Sequence, residues 1–336
     1  MPLSHRAARA QPKSGGDMAG EFDIIAKYFM PLAGPEGLGL ADDAACLTPS
    51  AGRSLIVTKD MVIGGVHFLE DDPADSIAYK ALAVNLSDLA AKGAVPKYYF
   101  LGLGLPGGTD DLWLASFAAG LKRAQEESGI TLAGGDTTSS PGHVSISITA
   151  IGEVPTGKML RRNGARAGDT VYVSGTLGDG AFGLKCLQGE VEFREELVRR
   201  YRYPQARLAL GAALLDIATA SADVSDGLLA DLSHICKASH LGADLEETKL
   251  PVSDDVRQLL KAEPDFAPLV YAGGDDYEIV FTAPESAGAE VQEATQQSGV
   301  KVTAIGRISD TPGIRLVDQS GELVHTARQG YQHFES

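Results

Sequence analysis

The sequence has few cysteines, and their pattern narrows both the redox environment and the metal chemistry. Cys46, Cys186 and Cys236 are the three cysteines of the 336-residue chain, and they lie far apart without a CxxC pair. An odd number at such spacing indicates neither a disulfide framework nor a structural zinc site. The seven histidines are scattered as well, which also disfavours zinc. We therefore expect free thiols and a cytoplasmic protein.

Basic residues and long apolar segments are also scarce. The 29 lysines and arginines stand against 45 acidic residues, for a net charge of −16, which disfavours binding to nucleic acid or to an anionic membrane surface. No apolar run approaches the ~18 residues of a membrane span. The chain has no P-loop and no protein-kinase signature set. An anionic substrate would have to be received through metal ions or a few local basic groups.

Length and composition predict two domains. The chain is 44% hydrophobic, enough to bury two cores of ordinary size. A basic, glycine-containing stretch, residues 155–168, is the predicted boundary between an N-terminal domain (20–154) and a C-terminal domain (155–336). Residues 1–19 are basic and rich in small residues, which predicts a disordered tail. The order of predicted elements indicates the α/β (α+β) class, with mixed sheets packed with helices.

The stretch KALAVNLSDLAAKGAVP, residues 80–96, is the one around which the other elements are organised. Apolar residues occupy nearly all sides of the predicted helix, as in a helix buried between other elements. Gly93 stands at the position of a left-handed cap and Pro96 lies just beyond it. Asn85 and Asp88 lie about one turn apart on one face. A buried carboxylate is costly unless it is paired or binds a metal, so Asp88 requires a cation.

Acidic residues recur where predicted strands end. The predicted strands are residues 55–58, 98–105, 130–133, 144–152, 170–174 and 277–282. The carboxylates concerned are Asp42, Asp43, Asp60 and Asp136. Aspartates beside glycine or hydroxyl residues are typical of Mg²⁺ sites, which usually join one or two carboxylates to phosphate oxygens. Gly134 and Gly135, directly before Asp136, would let backbone amides approach an anion.

Two further helices are predicted from their start signals. Thr109 is predicted to cap a helix over residues 110–128. The turn DVSDG, residues 223–227, leads into a helix with apolar residues at helical spacing. In that turn Asp226 stands where it could be the helix N-cap. Asp231 and His234 fall one turn apart further along and are interpreted as part of a solvated face.

Seven blocks in a fixed order carry a resemblance to a known family. The blocks are ADDAA, TKDMVIGGVHF, KALAVNLSDLAAKGAVPKY, AGGDTT, RNGARAGDTVYVSGTLGD, DVSDGL and GGDDYEIVFT. Together they resemble thiamine-monophosphate kinase, from about residue 20 to residue 334. The resemblance implies the two-domain α/β fold of the aminoimidazole-ribonucleotide synthetase-like superfamily, whose members use ATP and usually dimerise through their N-terminal domains.

The resemblance also implies roles for individual residues. Positions that match the family's Mg²⁺-binding residues are Asp43, Thr58, Lys59, Asp60, Asp88, Asp136, Asp223 and Asp226. Positions that match its ATP contacts are Gly135, Asp136, Arg162 and Ser225, with Arg162 as the phosphate-binding arginine. Positions that match its thiamine-phosphate pocket are His67, Asp275 and Tyr331.

Some of these positions depart from the family's pattern or have a plainer interpretation. Lys59 replaces a common hydroxyl residue, so it would contact a metal through its backbone. Asp275 is one methylene shorter than the family's usual glutamate. His67 could simply fill a loop, and Tyr331 could be C-terminal packing. Asp42 is interpreted as bracing its loop rather than binding a metal.

The chemistry implied is phosphoryl transfer between two polyanions. The phosphate of thiamine phosphate is already an oxyanion, so positioning and electrostatics would carry catalysis without a strong general base. The cationic thiazolium suits a carboxylate such as Asp275 and an aromatic face such as Tyr331. The function expected is Mg²⁺-dependent synthesis of thiamine diphosphate from ATP and thiamine phosphate by a homodimer. The alternatives are another ATP-dependent synthetase of the superfamily and a non-catalytic nucleotide or thiamine-phosphate binding module.

Overall fold

A computed structural model describes residues 20–324 and 330–331; the predicted tail, residues 1–19, lies outside the described residues. The first half of the chain forms a four-stranded sheet in the order β1-β4-β2-β3. Its strands are β1 (Arg53–Ile63), β2 (Val95–Pro106), β3 (Thr131–Ser140) and β4 (Ser145–Pro155). Strands β2 and β3 are parallel, and β4 is antiparallel to both β1 and β2. The sheet is therefore mixed, with β1 and β3 at its two edges.

The second half forms a six-stranded sheet in the order β10-β7-β9-β5-β8-β6. Its strands are β5 (Thr170–Ser174), β6 (Ala220–Val224), β7 (Gly242–Glu246), β8 (Glu278–Ala283), β9 (Val302–Ser309) and β10 (Gly313–Val317). Only β10 and β7 pair in parallel. The predicted class, with mixed sheets packed with helices, is confirmed.

Helices flank both sheets. They are α1 (Glu21–Ile24), α2 (Ala74–Ala91), α3 (Asp111–Ser128), α4 (Asp179–Gln188), α5 (Glu195–Arg202), α6 (Leu208–Ala213), α7 (Leu228–Ser239), α8 (Asp254–Ala262), α9 (Pro268–Ala272) and α10 (Gly288–Ser298). Residues 21–29 form α1 followed by a π-helical turn, Ile25–Phe29. Among the described residues, no helix combines the length and the apolar character needed to cross a bilayer.

Helix α2 is the buried helix predicted from the sequence, and it lies between the two halves. It packs against β1, β4 and α3 of the first half and against α6, β6 and β8 of the second. All of its residues except Asp75 and Asp88 are buried. Gly93 follows it with φ 70°, as predicted for a left-handed cap. Residues from both halves can therefore meet at the polar positions of this one helix.

Two predicted boundaries are wrong. Asp110, not Thr109, caps α3, because its carboxylate accepts the N–H of Trp113 at 2.8 Å. The Thr109 hydroxyl instead donates to the carbonyl of Pro106 in the preceding turn. Strand β3 does not end at the glycine pair but continues to Ser140, because those residues pair with β2. Asp136 consequently lies within an edge strand.

Candidate active site

A first cluster of acidic side chains, which includes Asp60 and Asp88, lies where β1 packs on α2. Thr58 and Asp60 are half-buried in β1, whereas Lys59 between them is exposed, because successive side chains of a strand point to opposite faces. The Thr58 hydroxyl donates to the Asp88 carboxylate. The side-chain oxygen of Asn85 accepts the backbone N–H of Asp60 at 3.1 Å. Contacts with α2 thus hold the Asp60 backbone and the Thr58 hydroxyl in place.

Lys59 extends across the opposite face of the sheet, where its ammonium group donates to the Ser147 hydroxyl. Its side chain therefore points away from Thr58 and Asp60. Any contact of Lys59 with a ligand on the α2 side would have to come from its backbone.

The second half of the chain adds carboxylates to the same group. Asp223, at the end of β6, is only 5% exposed and accepts the Ser87 hydroxyl of α2 at 3.0 Å. Burial raises the pKa of Asp223 well above its ordinary value, and the charge of Asp88 raises it further. Residues 136 positions apart in the sequence therefore share one hydrogen-bonded site.

Repulsion from neighbouring carboxylates also acts on Asp60. Burial raises its pKa from 3.8 to about 6, and the charges of Asp88 and Asp226 contribute to the rise. Four carboxylates from the two halves thus lie close enough to oppose one another's ionisation: Asp60, Asp88, Asp223 and Asp226. Such an arrangement stores electrostatic repulsion that a cation would relieve.

Two basic residues border this acidic group. Lys92, just after α2, donates to the carbonyl of Ser221 at 3.0 Å. Burial lowers the pKa of Lys92, as does the positive charge of Arg162, while Asp223 and Asp88 raise it. Arg162 was predicted from the sequence and Lys92 was not, although Lys92 follows Asp88 by one helical turn.

Asp231 holds the loop after β6, and the prediction that it lies on a solvated face is wrong. Asp231 is 1% exposed, and one of its carboxylate oxygens accepts the backbone N–H groups of both Ser225 and Asp226 at 3.0 Å. It is therefore buried rather than part of a solvated face, whereas His234 is exposed as expected. Burial raises the pKa of Asp231 to about 7, with the charge of Asp226 adding to the rise. Helical spacing alone did not reveal that this face of α7 packs under the loop.

Asp226 is not the N-cap of α7, because Gly227 occupies that position and no side chain caps the helix. The carbonyl of Asp226 accepts the N–H of Tyr331 at 3.0 Å. Of the two interpretations that the sequence left open, the capping role is excluded.

A second cluster of acidic side chains, Asp42, Asp43 and Asp136, lines a cavity of about 280 Å³ beside β3. Asp43, Gly135 and Asp136 line it together with apolar residues such as Phe29. At Gly135 a side chain is excluded, because a Cβ atom would lie 2.0 Å from the carbonyl oxygen of Leu101. Nearby, the Asp42 carboxylate accepts the N–H of Asp43 at 2.8 Å, which supports its interpretation as a loop brace.

The three predicted substrate-pocket residues lie on separate loops. Nδ1 of His67 accepts the N–H of Ile63 at 3.1 Å, which assigns the ring hydrogen of the neutral imidazole to Nε2. Asp275 and Tyr331 both contact the loop after β6, since the N–H of Asp275 donates to the carbonyl of Ser225 at 2.9 Å. Asp275 has φ 69°, a left-handed conformation. The second half thus brings Ser225, Asp275 and Tyr331 together.

Within the described part of the chain, the two sets of acidic residues lie at different edges of the first sheet. Asp60 pairs with Ile148, Ile148 with Leu101, and Leu101 with Gly135. Asp60 and Gly135 thus lie at opposite edges of the sheet, three strand spacings or roughly 14 Å apart. One bound molecule or a second subunit would have to join them.

The donor set suits a hard divalent cation such as Mg²⁺. The group around α2 offers carboxylate and hydroxyl oxygens, and its partly buried carboxylates raise one another's pKa. Within residues 20–324 and 330–331, no three histidine, cysteine or acidic side chains are already arranged to hold a metal. Mg²⁺ usually completes its coordination with water and substrate phosphate oxygens, so the residues present fit such an ion.

Comparison with known families covers most of the chain. The N-terminal domain of AIR synthase related protein matches residues 41–154, and the C-terminal domain of AIR synthase related protein matches residues 166–319. Both sheets of the structure lie almost entirely inside these two matches.

Individual relatives agree with the family matches. The thiamine-monophosphate kinase of Salmonella typhimurium is 42% identical over 94% of this chain and 98% of its own length. The crystal structure of thiamine-monophosphate kinase from Stenotrophomonas maltophilia K279a has 40% identity and a TM-score of 0.78, covering 85% of this chain and 91% of that one. AaThiL complexed with AMPPCP and TMP has 31% identity and a TM-score of 0.76, covering 95% and 100%. The resemblance predicted from the sequence is confirmed: the chain belongs to the thiamine-monophosphate kinase family of AIR synthase related proteins.

Proposed function

We propose that this protein transfers the γ-phosphoryl group of ATP directly to thiamine phosphate, giving ADP and thiamine diphosphate. The observation that carries the proposal is the convergence of Asp60 and Asp88 from the first half with Asp223 and Asp226 from the second. Relatives of nearly the same length are thiamine-monophosphate kinases, and AaThiL is complexed with AMPPCP and TMP.

The carboxylates would hold Mg²⁺, which when bound neutralises phosphate oxygens and aligns them. Asp60, Asp88, Asp223 and Asp226 supply the charge at α2, and Thr58 adds a hydroxyl oxygen. Lys59 would contribute its carbonyl, since its side chain lies on the other face. Asp43 and Asp136 supply a second group beside the cavity. The acceptor phosphate is already ionised, so these residues need only overcome the repulsion between two polyanions.

The nucleotide and the acceptor, thiamine phosphate, would contact different residues around this site. Gly135 and Asp136 would receive the nucleotide at the cavity beside β3. Arg162 and Ser225 would contact its phosphates, with Arg162 supplying electrostatic stabilisation. His67, Asp275 and Tyr331 would line the pocket for thiamine phosphate.

We further propose that the protein is a cytoplasmic homodimer assembled through the first sheet. Helices α2 and α3 lie on one side of this sheet, while Val57 and Met61 of β1 remain 59% and 53% exposed on the other. A two-fold axis parallel to the strands would place β3 of one subunit opposite β1 of the other. The β3 edge that carries Asp136 would then lie opposite the β1 edge of the second subunit, on which Asp60 points to the α2 side. The free thiols of Cys46, Cys186 and Cys236 suit a reducing compartment.

The two domains we propose, residues 20–154 and 155–336, each contain one of the sheets. Pro155 still belongs to the end of β4, so the boundary falls at the edge of that strand.

The direct test is to incubate purified protein with ATP, Mg²⁺ and thiamine phosphate and to quantify ADP and thiamine diphosphate by chromatography. Equal amounts of both products are expected, and EDTA should abolish them. D88N should lower kcat at least about 100-fold, whereas D111N, an exposed acid on α3, should not. Binding of thiamine phosphate without turnover would indicate a binding module, and turnover only with a formylglycinamidine ribonucleotide would indicate a synthetase.

A further inference from the structure

Lys80 is a cation buried at the junction of the two halves. Its side chain is 4% exposed, and its ammonium nitrogen lies 2.8 Å from Oδ2 of Asp275. The same nitrogen lies 3.8 Å from the centre of the Tyr201 ring in α5, within the range of a cation–π contact. Lys80 comes from α2 and both contacts come from the second half.

Asp275 is held on its other side as well. Its Oδ1 accepts the Tyr277 hydroxyl at 2.9 Å, so each carboxylate oxygen has a partner. The backbone at Asp275 and Tyr277 has φ of 69° and 53°, and such conformations persist only where surrounding contacts over-determine them. The N–H of Tyr277 donates to the carbonyl of Val224 at 2.8 Å, which ties this segment to the end of β6.

The Asp275 side chain is nevertheless 27% exposed, so it remains accessible to a ligand. We infer that Lys80, together with Tyr277, is a positioning residue that fixes the Asp275 carboxylate for substrate binding. The inference rests on the proposed function, in which Asp275 contacts thiamine phosphate.

The arrangement also defines how Asp275 recognises its ligand. Because the Lys80 ammonium neutralises the carboxylate, the pair presents little net charge to a cationic thiazolium ring. Each carboxylate oxygen keeps a second lone pair, which can accept one directed hydrogen bond. The ligand group selected is therefore an N–H donor, such as the amino group of the pyrimidine ring.

The test compares K80M with R202M. Arg202 also joins the two halves, because its Nε lies 2.7 Å from Oδ1 of the buried Asp72, but it has no role in the proposed site. In K80M the KM for thiamine phosphate should rise about tenfold, as for loss of a hydrogen bond with a charged partner, with kcat and the KM for ATP nearly unchanged. R202M should lower Tm without raising that KM. An equal KM in both variants would overturn the inference.

Two measurements keep the inference testable if K80M is unstable or the proposed substrate is wrong. Y277F removes only the phenolic hydrogen bond and should raise the same KM about threefold. Hydrogen exchange at the amides of Asp275 and Tyr277 should accelerate in K80M and Y277F but not in R202M, whatever the substrate. Unchanged exchange would overturn the positioning role, whereas accelerated exchange without thiamine phosphate turnover would overturn only the proposed function.

Discussion

Asp60 is a residue whose negative charge lowers the stability of the folded protein. Its carboxylate is half-buried beside Asp88 and Asp226, and the pKa of about 6 reflects burial first and these charges second. Asn85 secures the Asp60 backbone without pairing its carboxylate. A protein without a ligand to bind there would gain stability from an uncharged residue.

The pH dependence of stability should therefore differ between the wild type and D60N in EDTA. Below pH about 4, Asp60 is protonated in both the folded and the unfolded state. The free energy of unfolding is then not reduced by the cost of a buried charge at Asp60. As pH rises towards about 6, Asp60 ionises first in the unfolded state, which lowers the free energy of unfolding of the wild type. Urea unfolding at several pH values should show D60N gaining up to about 2 kcal/mol over the wild type between pH 4 and 7. Parallel stability curves would contradict the assignment.

Among the elements, β3 both pairs with β2 and lines the cavity beside it. It pairs with β2 from Tyr98–Thr131 to Pro106–Ser140, with one irregularity between Tyr99 and Phe100. Just after that irregularity, Gly135 brings its backbone against the carbonyl of Leu101. Edge strands leave backbone groups without a strand partner, and residues 132–137 of β3 line the cavity together with Asp43.

Gly135 and Gly107 provide a matched test of that element. In G135A the new Cβ would meet the Leu101 carbonyl oxygen at 2.0 Å, so β3 must shift away from β2. We expect a loss of about 2 kcal/mol in the free energy of unfolding and weaker ATP binding by calorimetry. G107A, in a turn where no atom lies within 4 Å of the added Cβ, should change neither. Equal behaviour of the two variants would exclude the close contact.

At the scale of the whole molecule, the separation of the two acidic groups is the feature that requires explanation. Asp60 and Gly135 lie at opposite edges of the first sheet, although the proposed reaction needs metal ligands around one phosphate chain. A face-to-face dimer would bring opposite edges together if its two-fold axis follows the strands.

The exposed face of β1 gives a test of the dimer itself. M61D places a charge among residues that a dimer would bury, so light scattering after size exclusion should show a monomer. L112D alters another exposed apolar residue, which is 80% exposed on α3, and should leave the dimer intact. A dimer in both variants would exclude this face as the interface.

Complementation between inactive variants tests whether each site uses both subunits. D60N and D136N should each be inactive, but their heterodimer would contain one site with both aspartates intact. Co-expressed with different tags and purified as a heterodimer, the pair should recover about half of the wild-type activity. An inactive heterodimer would indicate that each chain forms its own complete site.

The sequence by itself determined the family, the buried helix and the class of fold. The seven ordered blocks were specific, and the apolar surface of α2 around Asn85 and Asp88 was strong enough to predict burial. The sequence did not show which of two adjacent polar residues caps a helix. Asp110 caps α3 because its carboxylate, rather than the Thr109 hydroxyl, accepts a helix N–H. These are differences of a single residue, below the reach of pattern analysis.

Only the tertiary structure decided which side chains meet. It buried Asp231 under the loop at Ser225 and Asp226 and joined Lys80 to Asp275 across 195 residues. It also placed the acids of β1 and β3 at opposite edges of one sheet. Periodicity records which face of an element is apolar, but strand order and the packing of one half on the other set the distance between charges, and those depend on contacts remote in sequence.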